Sequence, residues 1–310
     1  MLAAQSIRAR GIEVLALFFE TPFFASRKAR KSAQSIDLPL RIVDITDRHL
    51  EIVKRPKHGY GGNMNPCIDC HTLMFRIAGE MLEREAANFV ISGEVLGQRP
   101  MSQNKKSLVL IASESGLGKL LLRPLSAKHL PVTLPEEKGW VDRELLMDFQ
   151  GRTRKPQMEL ARKFNIQNYP SPAGGCLLTE KVFSRRLKDL FLSEKGLDIK
   201  DLELLKLGRH FRIAPHSKLV VGRNKSENEK IREVSGANDL VLSSVSVPGP
   251  TVLILGHSSD AVLKLAAAIT VAYSDVEVGE SVAVRVMGAS VNTTLMTSAH
   301  DKEEFKQYMI

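Results

Sequence analysis

Residues 13–19 read EVLALFF, apolar at almost every position. A strand with one face in water alternates apolar and polar residues, whereas a strand covered on both faces does not. The run therefore predicts a buried parallel strand. Helical signals flank it. Residues 2–10 place Leu2, Ala3 and Ile7 on one side of a helix, and the basic segment SRKARKSAQSI further on reads as a second helix. LRIVDI (40–45) reads as another strand and residues 47–54 as a short helix. HTLMFRIAGEMLEREA (71–86) is a longer helix, with apolar residues at 73, 74, 77, 78, 81 and 82. NFVISG (88–93) closes the series as a strand ending in glycine. The order α-β-α-β-α-β predicts an α/β domain on a doubly wound parallel sheet. Ligands in such a sheet gather beyond the carboxyl ends of the strands. In such a sheet a strand and a phosphate-binding loop ordinarily precede the first helix. Met1 already stands in the first turn here, so the expectation is a sheet whose first strand and loop are missing.

The texture changes after residue 150. GRTRKPQMELARKFN (151–165) is strongly basic, and NYPSPAGGC (168–176) is the best linker candidate. Two helices follow, over about 180–193 and 198–207, and then short strands alternate with helices to the end. The expected division is an α/β domain over 1–165, a connecting segment with helices over 166–200, and an α+β domain over 201–310.

The 310 residues are 43% hydrophobic, ample for a sizeable core. The longest apolar candidate for a span, AVLKLAAAITVAY (261–273), is short and carries Lys264, so it reads as a buried or amphipathic helix. The first residues lack the apolar stretch of a secretory signal, and a cytoplasmic location is expected. The net charge of +9 suits a polyanionic partner, because Lys and Arg beside phosphates release counterions. With aromatics at only 5% and one Trp, base stacking is not expected to be the main binding mode.

Two of the three cysteines lie in NPCIDCH (65–71), two residues apart, and the third is Cys176. Three cysteines do not make a disulfide framework. A thioredoxin-like pair leaves Cys176 unexplained, and c-type haem attachment at CxxCH requires export. Zinc on Cys67, Cys70, Cys176 and His71 is one ligand set. Another is an iron–sulfur cluster on three thiolates, in which one iron would stay open to a small anion. The spacing alone does not choose between them. Gly174 and Gly175, just before Cys176, would let the backbone bring that thiol close.

NPCIDC, GEVLGQRPMSQ (93–103), LLRPLSAK (121–128) and SPAGGCLLT (171–179) together resemble the tRNA thiouridine synthetases of the PP-loop ATP pyrophosphatase superfamily. GEVLGQ…SQ is similar to the nucleotide-pocket loop of tRNA 4-thiouridine synthetase, and NPCIDC to a segment of the tRNA 2-thiouridylases. The CxxC…C arrangement resembles the subclass with a 4Fe–4S cluster. KLGRHFRIAPHSKLVVGRNKSENEKI…GPTVLILG looks like an RNA-binding domain of the NFACT type. The resemblance implies an adenine nucleotide alpha hydrolase-like fold and ATP-dependent conversion of a tRNA uridine to thiouridine. It implies a 4Fe–4S cluster on Cys67, Cys70 and Cys176, with zinc as the alternative, and ATP with Mg as co-substrate. Gly93 and Gln103 match the pocket loop, and Phe18 and Phe19 lie where backbone frames the adenine, their side chains reading as strand core. Asp69 either orients or deprotonates a group, or forms a turn. Arg76, Arg123 and Lys128 reach phosphate or lie on solvated faces. The implied partners are tRNA and a sulfide donor, with no membrane and with room for a homodimer. The family's SGGxDS phosphate loop would stand before Met1. The competing reading is a non-catalytic RNA-binding relative without that loop. In both readings Arg152, Arg154, Lys155, Arg162 and Lys163 contact RNA. So do Lys206, Arg209, Arg212, Lys218, Arg223 and Lys225.

Overall fold

The computed structural model describes residues 1–169, 175–192, 198–236, 238–256 and 258–310. The chain divides into two compact units, Met1–Thr179 and Glu180–Ile310. Ser171, Pro172, Ala173 and Gly174 of the SPAGGC motif lie outside the described residues.

The first unit runs α1 (Leu2–Arg8), β1 (Ala16–Glu20), α2 (Arg27–Gln34), β2 (Leu40–Asp44), α3 (Thr46–Lys54) and α4 (Cys67–Glu80). It continues with β3 (Val90–Ile91), α5 (Lys105–Glu114), β4 (Leu121–Leu122), α6 (Leu134–Glu137) and α7 (Lys155–Lys163). The strands pair in parallel, β1 with β2 and β3 with β4. The period of two in a strand sorts its side chains onto two faces. Leu17 and Phe19 pack with Leu73, Ile77 and Met81 of α4. Ala16 packs in a cluster that holds Ala4, Ala33 and Ala161, from α1, α2 and α7. Helices on both faces explain why EVLALFF does not alternate.

The expected parallel α/β arrangement is present, but the sheet is in two pieces. β1 does not pair with β3, and a cleft of about 800 Å³ separates them. β1 is accordingly half-buried along its whole length instead of fully buried. The strand expected over 88–93 shrinks to Val90–Ile91. The helix expected over 71–86 begins four residues earlier, at Cys67, and ends at Glu80. The cysteine pair therefore sits in a helical first turn and not in a loop.

The second unit runs α8 (Lys181–Phe191), α9 (Ile199–Leu204), β5 (Arg209–Ala214), β6 (Ser217–Val221), α10 (Lys225–Val234) and β7 (Leu240–Ser244). It ends with β8 (Val252–Gly256), α11 (Asp260–Ala272), β9 (Ser281–Met287) and β10 (Asn292–Ser298). Six strands form an antiparallel sheet in the order β10-β9-β7-β8-β6-β5. α11 is the helix read from AVLKLAAAITVAY. Ser259 caps it by accepting the Val262 N–H. Its Ala266 and Ala267 are fully buried in the core that also holds Leu219, Leu242 and Val284 of the sheet. β10 was not legible as a strand, because NTTLMTS is a largely exposed edge.

Candidate functional site

Pro66 holds the N-cap position of α4, and Cys67 and Cys70 follow one turn apart. Residues three apart share a helix face, so both thiols point the same way. Their loop is closed locally. Gly61 donates its N–H to Asn65 O at 3.0 Å, and a side chain at Gly61 would lie 2.7 Å from Met101 Sδ. Asn65 Nδ2 donates to Cys67 Sγ at 3.1 Å.

Cys176 reaches this corner from far along the chain. Leu177 N–H donates to Phe23 O at 3.0 Å, in the turn after β1. Asn63 Nδ2 donates to Thr179 O at 2.7 Å, tying the glycine-rich loop to the same segment. The thiols respond to one another's charge. Burial drives the Cys70 thiol far above its ordinary range, and Cys176 and Cys67 push it further. Burial likewise pushes Cys176 up to about 11; the backbone N–H of Leu178 works against this and Cys67 adds to it. Thiolate charge on Cys70 and Cys176 is thus disfavoured in this corner, by burial first and by neighbouring thiols second. A bound cationic group would remove that penalty. Among the described residues, no three His, Cys, Asp or Glu side chains are gathered closely enough for a single metal ion.

Asp69 lies in the same turn, 7% exposed, and its Oδ2 accepts the His58 N–H at 3.0 Å. That bond anchors the incoming loop. His71 is committed elsewhere: its Nδ1 meets Glu94 Oε1 at 2.8 Å. Glu94 Oε2 accepts from Arg123 Nε at 2.8 Å, with both side chains 6% exposed. Arg123 also donates to Leu108 O at 3.1 Å and stands 6.0 Å from the centre of the Phe75 ring. Burial pushes the Glu94 carboxyl up, but the hydrogen bond from His71 and the charge of Arg123 outweigh it and hold the group below its ordinary value. Glu94 is the site residue that sequence reasoning passed over, although it lies inside GEVLGQ.

The cleft between β1 and β3 brings Phe19 and Gly93 together, with Phe75 of α4 and the end of α1. Gly93 faces open space there. Met1 also lines the cleft. Phe18, Gln103 and Arg76 are not among the lining residues. Phe18 meets Phe24 edge-on at 6.5 Å. Gln103 is buried, and its side-chain carbonyl has no hydrogen-bond partner among the described residues. Arg76 donates to Glu114 O at 2.9 Å, joining α4 to α5, and Lys128 donates to Glu144 O at 2.8 Å.

Residues 2–129 match the family model described as thiamine biosynthesis protein (ThiI), a family related to tRNA thiolation. Residues 208–309 match the NFACT protein RNA binding domain. The implied architecture is met in both segments. Among solved structures, the chain is 14% identical to the C-terminal part of the fibronectin/fibrinogen-binding protein from Streptococcus suis. That likeness covers 85% of this chain and 98% of the other, at a TM-score of 0.31, and carries no structural argument. No curated protein matches. Among the described residues, no helix is long and apolar enough to cross a membrane.

In the segment matching the RNA-binding domain and the helix before it, the basic residues expected to meet RNA are largely engaged. Arg212 and Lys218 both bond Asp189, at 2.7 and 3.0 Å. Arg223 pairs with Glu227, Lys206 with Glu203, and Arg209 stacks on Tyr273 at 4.9 Å. Of that set, Lys225 alone forms no ion pair or ring contact among the described residues.

Proposed function

We propose that the chain takes part in ATP-dependent thiolation of a uridine in tRNA, with Cys67, Cys70 and Cys176 as ligands of a 4Fe–4S cluster. The observation that carries this reading is the convergence of the three thiols from the first turn of α4 and from the segment anchored on Phe23. The donor set fits such a group. One zinc ion takes all its sulfurs at about 2.3 Å, whereas a cluster spreads its thiolates over separate irons. Thiols that sense one another's charge from two separate segments suit a group that spreads its ligands in this way. When bound, a cluster with three protein ligands would supply an open iron able to carry sulfide.

The remaining work falls to the chain itself. The cleft lined by Phe19 and Gly93 is the place for the adenine nucleotide, supplied as ATP with Mg. The absent side chain of Gly93 leaves backbone free to approach the ligand. Bound there, ATP would adenylate a uracil carbonyl oxygen and release pyrophosphate. Asp69 and Asn65 fix the thiol-bearing turn, Asp69 through His58 N–H and Asn65 on Cys67 Sγ. His71, held by Glu94, sits one residue beyond Cys70 and fixes how α4 lies against the GEVLGQ segment. The RNA-binding segment is expected to deliver the tRNA, and location in the cytoplasm follows from that substrate.

The test is anaerobic incubation with unmodified tRNA, MgATP and sulfide, followed by nucleoside mass spectrometry. Thiouridine that appears with the native chain and disappears with Cys70→Ala supports the reading. tRNA that binds but is never thiolated favours the non-catalytic RNA-binding relative.

A further inference from the structure

The positive charge of this protein is not where its RNA-binding family match lies. Residues 1–179 carry 26 Lys and Arg against 18 Asp and Glu, while residues 180–310 carry 18 against 17. The second unit is therefore close to neutral, and most of the cations expected to bind RNA there are engaged with carboxylates or an aromatic ring. Nearly the whole excess belongs to the first unit.

Within that unit the unpaired cations concentrate on two helices. α2 reads RKARKSAQ, with no acidic residue, and Arg27, Lys28, Arg30 and Lys31 are all exposed. On α7, Lys155, Arg162 and Lys163 are exposed, with Glu159 the one carboxylate beside them. None of these seven cations forms an ion pair among the described residues. The two helices flank one core: Ala33 of α2 and Ala161 of α7 lie in the same buried cluster. Burial of those small faces turns the cationic faces outward. The turn leading into α2 also holds the third cysteine, through the Leu177 N–H on Phe23 O.

We infer that α2 and α7 form an RNA-backbone docking face on the thiol-bearing unit, separate from the segment that matches the RNA-binding domain. Cations left without carboxylates keep their full attraction for phosphate. A membrane surface is the poorer fit, because a helix on a bilayer needs large apolar side chains beside its charges and α2 has none. The face supplies what a nearly neutral second unit lacks, a counterion-releasing surface beside the thiols. The choice of RNA rests on the proposed tRNA substrate.

The test compares three charge-matched variants of the full chain, binding unfractionated tRNA by fluorescence polarisation over a KCl series. The first carries Arg27→Glu, Lys28→Glu and Lys31→Glu. The second carries Lys155→Glu, Arg162→Glu and Lys163→Glu. The control carries Arg84→Glu, Lys119→Glu and Lys138→Glu, exposed in the same unit but off α2 and α7. Each of the first two is expected to lower the slope of log K against log salt by about 2, at roughly 0.7 for each phosphate no longer neutralised. The control is expected to keep the native slope. Native binding by the first two, or an equal fall in all three, overturns the inference. If a glutamate version fails to fold, glutamine versions of the same triples take its place, and the same outcomes support or overturn the inference. Binding is read without sulfur transfer, so failure of the thiolation assay leaves this result standing and the reverse also holds.

Discussion

Replacing Arg123 by methionine keeps most of the side-chain volume and removes its charge. Arg123 and Glu94 are each 6% exposed and 2.8 Å apart, so the variant leaves a carboxylate in a closed site with His71 as its remaining partner. Breaking a buried pair in this way costs about 3–5 kcal/mol. The loss of the Leu108 carbonyl's donor adds to that. Trp140 is the single tryptophan and lies in the first unit, stacked on Phe89. Urea unfolding followed by tryptophan emission therefore reports that unit alone. The pH dependence has a definite sign. In the native chain the Glu94 carboxyl lies below its ordinary value of 4.5, so its contribution is present above about pH 4.5 and lost as pH falls through the lowered value. Without Arg123, the lowering supplied by its charge and hydrogen bond is lost and the carboxyl rises from its native value, with only His71 left to oppose burial. The variant's deficit is then largest at neutral pH and shrinks on acidification. Adding Glu94→Gln to Arg123→Met removes the stranded charge and is expected to restore part of the loss. A deficit under about 1 kcal/mol at neutral pH, or a double variant worse than the single one, would mean that the pair is not the buried, mutually dependent one described.

His49 is fully buried against Phe23 and Phe24, neither ring nitrogen has a hydrogen-bond partner among the described residues, and burial lowers its pKa to about 4. Below about pH 6.5 the unfolded chain takes up a proton that the folded chain refuses, so stability falls by about 3 kcal/mol down to pH 4. His49→Leu is expected to flatten that slope in the same urea assay; an unchanged slope contradicts it. Gly208 has φ +58°, and a Cβ there would sit 2.4 Å from Val221 O. Gly208→Ala is expected to lower the second unit's calorimetric midpoint by several degrees, since the left-handed conformation alone costs about 1–2 kcal/mol. A native midpoint would show that the backbone yields. Asn65→Ala is expected to leave folding intact while making Cys67 more accessible to alkylation, because Asn65 Nδ2 no longer covers its sulfur. A native alkylation rate would argue against that cover.

The elements with strong local signals were legible: the basic α2 and the alanine-rich α11 stand close to where they were read, and the apolar run 13–19 yields β1, which starts three residues later at Ala16. The start of α4 was not, because CIDC has no helical signature of its own. Its first turn is set by Pro66 and by Asp69 accepting the N–H of His58, a partner eleven residues away. The Glu94–Arg123 pair was hidden for a similar reason, since its partners lie 29 positions apart and neither burial is written locally. The basic residues of the second unit illustrate the converse. Their charge is plain in the sequence, but Asp189, which engages Arg212 and Lys218 from 23 and 29 positions away, is visible as their partner only in the fold. The cysteine corner fell between these cases. The sequence pointed to all three thiols, and the anchoring of Cys176 through Phe23 and Asn63 had to come from the structure.

The proposed chemistry stands or falls on whether Cys67, Cys70 and Cys176 act as one ligand set. Iron and acid-labile sulfide in the anaerobically purified chain, beside the Cys67→Ala, Cys70→Ala and Cys176→Ala variants, measure this without relying on turnover. About four irons and four sulfides per native chain are expected, with a brown visible absorption lost in each variant. Zinc in their place, no metal at all, or full iron retained without Cys176 would contradict a shared ligand set.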